Sequence, residues 1–411
     1  SVWFIQVKRM IKTALFDPTR HYPLSPLGWN PTVAQAAVTA IAQTTITQLQ
    51  TTPWLSGHPM DDRAFGSDLY FGKAGVLWAI HYLQTVGAID SAFDVAPQLD
   101  ATLAQNHEGY AQSSPYPEQS SYLFGELPLL LLQYKLAPSE DKATQILQAI
   151  HKNDTQPIRE LMWGIAGSML AAWFMYEWTQ ESRWRDVFTL QTGLLLQAWQ
   201  PVNEVGHLWR IDLYGKQQQW LGPVHGFAGN LTPLLVGHSL LTDEQYQEIA
   251  ARAMLTLIQT AVTDDDGANW PAVYKAAAAK PTLKLVQYCH GAPGMVTALA
   301  ALPQGNEQFD RILVQGGELT WRAGPLKKGS NLCHGTGGNG YAFLKLFIRT
   351  GDELWLDRAR AFAMHSVEQY RFAQQRYGQL RYPLWTGDLG LAIYLWDCLQ
   401  AQAKFPTIDV F

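Results

Sequence analysis

A short glycine motif recurs along the chain, and it constrains the fold more than any other feature. The first glycines of its seven copies are Gly72, Gly125, Gly164, Gly226, Gly291, Gly335 and Gly387. Six copies read Gly-x-x-Gly, and the copy at Gly125 is degenerate, with Pro128 in place of the last glycine. Each copy begins an apolar, helix-like run, such as Tyr341 to Leu346. Glycine suits such turns because it accepts positive φ and allows close backbone approach.

The spacing of these copies predicts the architecture. Their first glycines lie 39 to 65 residues apart, and mixed polar and apolar segments such as Asp141 to His151 and Asp243 to Val262 lie between them. Strand signals are sparse, and repetition on this scale is typical of helical repeats. We therefore expect seven helical hairpins, each with an outer amphipathic and an inner apolar helix. The predicted fold is all-α: a double-layered (α/α)7 helical toroid, forming a single domain over residues 1–411.

The first thirty residues differ from the repeats. Four prolines between positions 18 and 31 interrupt any helix, so residues 1–30 are expected to form an irregular arm. Apolar residues recur at helical intervals from Thr32 to Leu49, which predicts the first helix. Basic residues interrupt the apolar start of the arm and no small-residue cleavage pattern follows, so we expect no signal peptide.

Composition excludes several classes of function. The net charge is -5 and no long basic block occurs, so nucleic acid is not expected as a partner. No uncharged run approaches the roughly 18 residues of a membrane span. Only three cysteines occur, a sparse and odd count that argues against a disulfide framework and for a reducing compartment. A cytoplasmic location is therefore expected.

Two cysteines stand at matching positions in two copies of the motif. Cys289 and His290 precede Gly291, just as Cys333 and His334 precede Gly335. His225 precedes the glycine of a third copy. If the turns converge at one end of the toroid, two thiolates and one imidazole form a Cys2His set. Such a set leaves the fourth position of a zinc ion open, as catalytic zinc sites do.

The alternative to metal binding is that the cysteines are small buried residues that only pack in the core. That is our interpretation of Cys398, which lies in an apolar helical pattern. The matching positions of the other two favour metal binding. A zinc ion neutralised by two thiolates accepts a third thiolate, and it keeps that thiol ionised near neutral pH.

Four further residues are candidates for catalysis or substrate binding. His225 is the candidate acid/base, because histidine ordinarily titrates near neutrality. Its alternative role is to cap an inner helix. His290 is a second acid or a partner of the metal ligands. Lys328, five residues before Cys333, and Arg381, six before Gly387, are placed to receive substrate carboxylates, although basic loop residues are often only solvated.

These motifs together resemble the lanthionine synthetase C-like family. The matching stretches run from His225 to Gly229, Gly267 to Pro271, Tyr288 to Gly294, Lys328 to Leu344 and Leu384 to Gly390. The resemblance covers most of the chain from about Leu69 and is most specific in its second half. It implies a seven-fold helical toroid with one zinc ion, bound at Cys289, Cys333 and His334.

Two branches of that family are relevant. Lanthipeptide cyclases join a peptide's own cysteine to a dehydroamino acid, whereas the branch similar to eukaryotic members binds glutathione. The chain looks closer to the second branch in the residues around Cys289 and Cys333. The turn that begins at Glu160 has no aspartate just before Gly164, where cyclases carry an acid-base partner. The N-terminal arm matches poorly, so no glutathione-contacting arginine is assigned to Arg20.

The expected function is a zinc-dependent thiol Michael addition. Glutathione is the expected donor, and dehydroalanine or dehydrobutyrine in a peptide or protein is the acceptor. His225 would supply the proton, and Lys328 and Arg381 would hold carboxylates. Two alternatives stay open: a cyclase that forms intramolecular thioether rings, and a non-catalytic zinc protein that binds a peptide or thiol.

Overall fold

Fourteen α-helices make up most of the part of the chain that the computed structural model describes: residues 14–52, 55–61, 65–109, 120–203, 205–275 and 285–411. The odd-numbered helices are α1 (Pro31–Thr51), α3 (Ala96–Gly109), α5 (Glu140–His151), α7 (Ser182–Gln197), α9 (Asp243–Thr260), α11 (Glu307–Ala323) and α13 (Glu353–Tyr377). The even-numbered helices are α2 (Lys73–Thr85), α4 (Leu127–Leu136), α6 (Ile165–Thr179), α8 (Phe227–Val236), α10 (Ala292–Leu299), α12 (Thr336–Thr350) and α14 (Asp388–Gln400). Three antiparallel hairpins pair β1 (Trp199–Val202) with β2 (Gly206–Trp209), β3 (Ile211–Leu213) with β4 (Lys216–Gln218), and β5 (Val262–Thr263) with β6 (Ala268–Asn269).

The even-numbered helices form a closed inner ring. Helix α2 contacts α4, and the contacts continue in order through α6, α8, α10 and α12 to α14, which contacts α2 again. The odd-numbered helices pack outside them, and α1 packs against both α13 and α14, so the first and last repeats meet. Each inner helix begins directly after a first glycine or, in the degenerate copy, two residues later. The predicted all-α double-layered toroid is therefore confirmed.

The glycines of the motif are required by close backbone approach. A Cβ atom on Gly164 would overlap the carbonyl oxygen of Ile158, and one on Gly294 would overlap the carbonyl oxygen of Tyr288. The same contact with the residue six positions earlier recurs at the other complete copies. Positive φ, the other property expected of these glycines, occurs among the first glycines of the described turns only at Gly291, where φ is 117°.

Backbone hydrogen bonds join the turns at equivalent positions. In five of the seven turns, the residue two before the first glycine donates its N–H to the carbonyl oxygen of its counterpart in a neighbouring turn. Five such bonds, of 2.9 to 3.2 Å, run in order through Cys289, Cys333, Trp385, Tyr70, Leu123 and Met162. The Gly226 turn packs beside this series, because a Cβ on Gly222 would overlap the carbonyl oxygen of Cys289. All seven turns therefore lie at one end of the toroid.

The last residues of the chain fill the lumen of the inner ring. Phe405 stacks on Tyr288 at a centroid distance of 4.3 Å, and Phe411 packs against Trp78 and Phe174. Because these partners come from different sides of the ring, the segment closes the centre below the turns. Phe405 and Phe411 are almost completely buried, as an apolar core requires.

The N-terminal arm lies along the loop that precedes Cys333. Its described part contains a short 3-10 turn, Pro18–Arg20, and residues 1–13 lie outside the described residues. The N–H of Lys327 donates to the carbonyl oxygen of Arg20 at 3.0 Å, and the N–H of Tyr22 donates to that of Pro325 at 2.8 Å. The expectation of a single domain over residues 1–411 stays a prediction. None of the helices described is long and apolar enough to cross a membrane.

Candidate active site

Cys289, Cys333 and His334 form a candidate metal centre. Their two Sγ atoms and one ring nitrogen all lie within 4.8 Å of one another. Ligands of a tetrahedral zinc ion, at about 2.3 Å for sulfur and about 2.0 Å for nitrogen, stand about 3.5–3.8 Å apart. Shifts of about 1 Å therefore bring the three donors to zinc geometry. Among the described residues, no fourth His, Cys, Asp or Glu joins the group, so a tetrahedral metal ion bound there would keep one position open.

The repeat explains why the two thiols meet. Cys289 and Cys333 occupy the position two before the first glycine in neighbouring turns, where the N–H of Cys289 donates to the carbonyl oxygen of Cys333 at 3.0 Å. Both side chains are buried. The same position in the other turns holds Tyr70, Leu123, Met162, Val224 and Trp385. Only this neighbouring pair of turns therefore supplies two sulfur donors.

Each sulfur accepts a hydrogen bond from a side chain that sequence analysis did not single out. Tyr70 Oη donates to Cys333 Sγ at 2.9 Å, and Gln287 Nε2 donates to Cys289 Sγ at 3.0 Å. Arg20 extends the second contact, since its Nη2 donates to Gln287 Oε1 at 3.2 Å. Such partners orient metal ligands and stabilise thiolate charge. The position of Tyr70 in the repeat was a usable signal, but Gln287 and Arg20 had none.

The two thiols titrate as a pair. The hydrogen bond between them lowers the pKa of Cys289 and raises that of Cys333 well above its ordinary value. Burial, followed by the positive charge of Lys328 and of two arginines, lowers the pKa of His334 to about 3. The imidazole of His334 is therefore neutral and keeps a lone pair for a metal ion, and metal binding would remove the remaining thiol proton.

His225 lies beside a carboxylate. Its Nδ1 atom forms a hydrogen bond of 2.8 Å with Oε2 of Glu160, whose side chain is fully buried. The other carboxylate oxygen of Glu160 accepts the N–H of Trp163. A histidine held in this way through Nδ1 keeps Nε2 for a substrate, as in an oriented acid/base pair. The sequence has no aspartate just before Gly164, and no local pattern identified Glu160 as the partner of His225.

His290 has the same local sequence as His334 but stays outside the metal cluster. Its ring lies 5.9 Å from that of Trp220, which is also 6.3 Å from the ring of His225. Its Nδ1 atom is buried and has no hydrogen-bond partner among the described residues. Burial, followed by the charge of His225, lowers the pKa of His290 to about 4. His290 thus connects the Cys289 turn with the His225 turn.

Lys328 and Arg381 line a small cavity of about 40 Å³ together with Asp388. Arg381 binds Asp61, with its Nε atom 2.8 Å from Oδ1 and its Nη2 atom also in contact. Lys328 is exposed and forms no ion pair with a described residue. Burial raises the pKa of Asp388 to about 7, and its Oδ2 atom accepts the N–H of Arg381 at 2.8 Å. Lys328 is therefore the more available cation for a substrate carboxylate.

Together, a toroid of seven helical hairpins and a Cys2His centre at its turn end define a known class of helical-barrel protein. The family model described as "Lanthionine synthetase C-like protein" matches residues 35–410, and the chain belongs to this family. The match contains all seven residues singled out by sequence analysis. The resemblance inferred from the motifs is thus confirmed.

Two curated relatives share parts of the chain. The Danio rerio protein named glutathione S-transferase LANCL1 is 40% identical over 129 residues, which cover 31% of this chain and 32% of that protein. The Arabidopsis thaliana LanC-like protein GCL1 is 28% identical over 260 residues, covering 61% of this chain and 58% of that protein. The aligned regions thus span about a third and just over half of these relatives. The names of both relatives agree with the LanC-like branch that the sequence motifs predicted.

A solved structure shares the fold. The structure of nisin cyclase superposes with a TM-score of 0.56 over 87% of this chain and 98% of that one. The sequence identity is 14%, so the similarity concerns the helical toroid alone.

Proposed function

We propose that this protein is a zinc-dependent enzyme that adds a thiol to dehydroalanine or dehydrobutyrine residues in peptides or proteins. Glutathione is the donor that we favour. The observation that carries the proposal is the convergence of Cys289, Cys333 and His334 beside the turn of His225. A nucleophile-binding centre and an acid/base residue are thereby brought to one end of the toroid.

The donor set suits zinc in its open, catalytic form. Zinc held by Cys289, Cys333 and His334 would keep a donor thiol ionised near neutral pH. Tyr70 and Gln287 hold the two ligand sulfurs by hydrogen bonds. The inner helices all begin at this end, so their partly positive N-termini favour an anionic sulfur and anionic carboxylates.

The reaction forms one carbon–sulfur bond. The donor sulfur attacks the β-carbon of the dehydroamino acid, and the π electrons of the double bond move onto the carbonyl oxygen to give an enolate. His225 then donates a proton from Nε2 to the α-carbon, and the enolate returns to an amide. Glu160 stabilises the charged imidazole, which regains its proton from the incoming thiol. His290, whose Nδ1 atom has no described partner, is the alternative proton donor.

Cationic side chains would hold the donor. Glutathione carries two carboxylates, and burying either without a partner is costly. Lys328 offers a charge that no described acid neutralises, and Arg381 keeps guanidinium donors beyond those that bind Asp61. Arg20 adds a third positive charge, at a point where it already contacts Gln287. The donor would thus lie between the N-terminal arm and the seventh turn.

The proposal is tested by incubating the protein with zinc, glutathione and a dehydroalanine peptide and measuring the thioether product by mass spectrometry. We expect turnover that disappears on zinc removal and returns when zinc is restored. The Cys289→Ala/Cys333→Ala variant should stay helical, because the toroid has its own core, but should lose zinc and activity. Full zinc content in that double variant would refute the metal centre.

The cyclase remains the second candidate, and one observation favours it. A carboxylate does lie beside His225, from Glu160, although the aspartate typical of cyclases is missing. A peptide that contains both a cysteine and a dehydroamino acid separates the two functions. Ring formation without acceptance of free glutathione would identify a cyclase. Zinc and peptide binding without any turnover would identify a non-catalytic binding protein.

A further inference from the structure

We propose that the acceptor polypeptide docks in a cavity beside the candidate active site, where α13 meets the N-terminal arm. This inference rests on the proposed function. The cavity has a volume of about 410 Å³. The residues of its wall that matter here are Tyr22, Met60, Lys327, Phe372, Arg376 and Tyr377. Cavities that bind small ligands typically measure about 300–1,000 Å³, so one or two residues of a peptide fit inside.

Exposed apolar side chains are concentrated at this cavity. Nine large hydrophobic residues are exposed among those described, and three of them line its wall. Phe372 is 65% exposed, Met60 46% and Tyr22 44%. Neighbouring exposed apolar residues mark surfaces that bind a partner. Here they offer a place for a large apolar side chain.

The cavity is continuous with the site proposed for the thiol donor. Met60, Gly329, Gln369 and Ala373 line both this cavity and the 40 Å³ cavity that contains Lys328. Gly329 also belongs to the loop that leads to the metal centre, where its carbonyl oxygen accepts the N–H of Thr336 at 2.8 Å. A polypeptide lying in the larger cavity can therefore extend its dehydroamino acid toward the donor sulfur.

The chemistry of the wall selects an apolar occupant. The Lys327 ammonium lies 5.4 Å from the ring centre of Tyr22, and the Arg376 guanidinium lies 5.4 Å from that of Tyr377. Each cation lies against an aromatic ring, and the exposed side chains of Phe372 and Met60 provide the main apolar contact surface. The occupant is an acceptor segment with a large aromatic or aliphatic residue next to the dehydroamino acid. Glutathione is too polar to prefer this surface.

Binding is measured first, without chemistry. A fluorescent peptide with alanine in place of dehydroalanine and phenylalanine beside it is compared with one that has serine beside it. We expect the phenylalanine peptide to bind about tenfold more tightly by fluorescence anisotropy, and Phe372→Ser to remove that advantage. Phe372→Trp should keep it. Ile348→Ser, on exposed α12 surface outside the cavity wall, is the matched control and should change affinity less than about twofold.

Turnover then separates docking from chemistry. N-acetyl-dehydroalanine methylamide is too short to occupy the cavity, so Phe372→Ser should leave its rate unchanged while raising KM about tenfold for the phenylalanine peptide. Tyr22→Ser, at a residue that lines only the larger cavity, provides a second variant if circular dichroism shows that Phe372→Ser unfolds. Unchanged peptide binding in both variants would overturn the docking surface and leave the proposed function intact. Absence of turnover in the wild-type protein would overturn the proposed function, while the alanine peptide still decides the docking.

Discussion

Two neighbouring turns of the toroid carry the same Cys-His-Gly sequence, yet only one of them contributes its histidine to the candidate metal centre. His334 lies with both cysteines, whereas His290 lies against Trp220. The glycines that follow differ in conformation, with φ of −122° at Gly335 and 117° at Gly291. The same local sequence therefore adopts two backbone conformations, and its histidine has different neighbours in the two turns.

This difference divides the site into two halves. His334 is placed near the charge of Lys328, which contributes to lowering its pKa after burial. His290 is placed near His225, the residue paired with Glu160. The histidine of one copy thus completes the candidate metal centre, and the histidine of the other lies near the His225–Glu160 pair. The repeat determines the position of the histidine along the turn, and the neighbouring residues determine which groups its side chain contacts.

The largest effect expected from this comparison is on metal content. His334→Ala should lose zinc and thiol addition, while His290→Ala should keep one zinc per chain. Losing a partner of a ligand typically costs about 10–100-fold in metal affinity, so losing a ligand itself should cost more than about 100-fold. Atomic emission on the two purified variants measures the difference. Equal zinc loss in both would mean that His290 also binds the metal.

The acid/base half of the site should show the next largest effect. His225→Asn should slow turnover by roughly 10²–10⁴-fold with zinc retained, because proton transfer contributes that much. Glu160→Gln keeps a hydrogen bond but removes a charge, and should slow turnover by about 10–150-fold. Near-normal turnover in the zinc-loaded His225→Asn variant would assign the proton to His290 or to water.

Sequence patterns predicted the fold and the cluster of Cys289, Cys333 and His334 for a physical reason. The glycines recur because backbones approach closely at each turn, and this local requirement is repeated in the sequence. The cysteines carry their signal in the repeat position itself. Side-chain partners brought together by ring closure leave no such pattern. Glu160 and His225 are 65 residues apart, and Arg20 and Gln287 are 267 apart.

The ion pair of Arg381 likewise could not be predicted from a local sequence pattern. The sequence predicted a cation near the seventh turn, but its partner Asp61 is 320 residues away, and the side chain of Asp61 is almost completely buried. No local pattern indicated that this guanidinium would be engaged. The two cations that sequence analysis treated alike therefore differ: Lys328 faces solvent without a described ion pair, and Arg381 is held by an acid.

From that difference we expect substitution of Lys328 to have a moderate effect on the affinity for the thiol donor. Lys328→Ala should weaken glutathione binding about 10–150-fold, the cost of one charge-assisted contact of about 1.5–3 kcal/mol. Mercaptoethanol, which has no carboxylate, should lose little. Arg381→Ala should also lower the free energy of unfolding, since it leaves buried Asp61 unpaired, and adding Asp61→Ala should restore part of it. Calorimetric titration and thermal melts measure both. Equal losses for both thiols in Lys328→Ala would remove the main support for glutathione.

The smallest expected effect concerns the two sulfurs, which accept different donors although they occupy equivalent positions. Tyr70→Phe removes the hydroxyl that donates to Cys333 and keeps the ring packed against Trp385 at 5.7 Å. Losing one hydrogen-bond partner of a metal ligand should weaken zinc binding about 10–100-fold. Gln287→Met should weaken it more, because that change breaks the contacts of Gln287 with both Cys289 and Arg20. Competition with a chromophoric chelator measures the two affinities. If Tyr70→Phe proved the more harmful change, the hydroxyl would hold its sulfur more firmly than the whole Arg20–Gln287 chain holds the other.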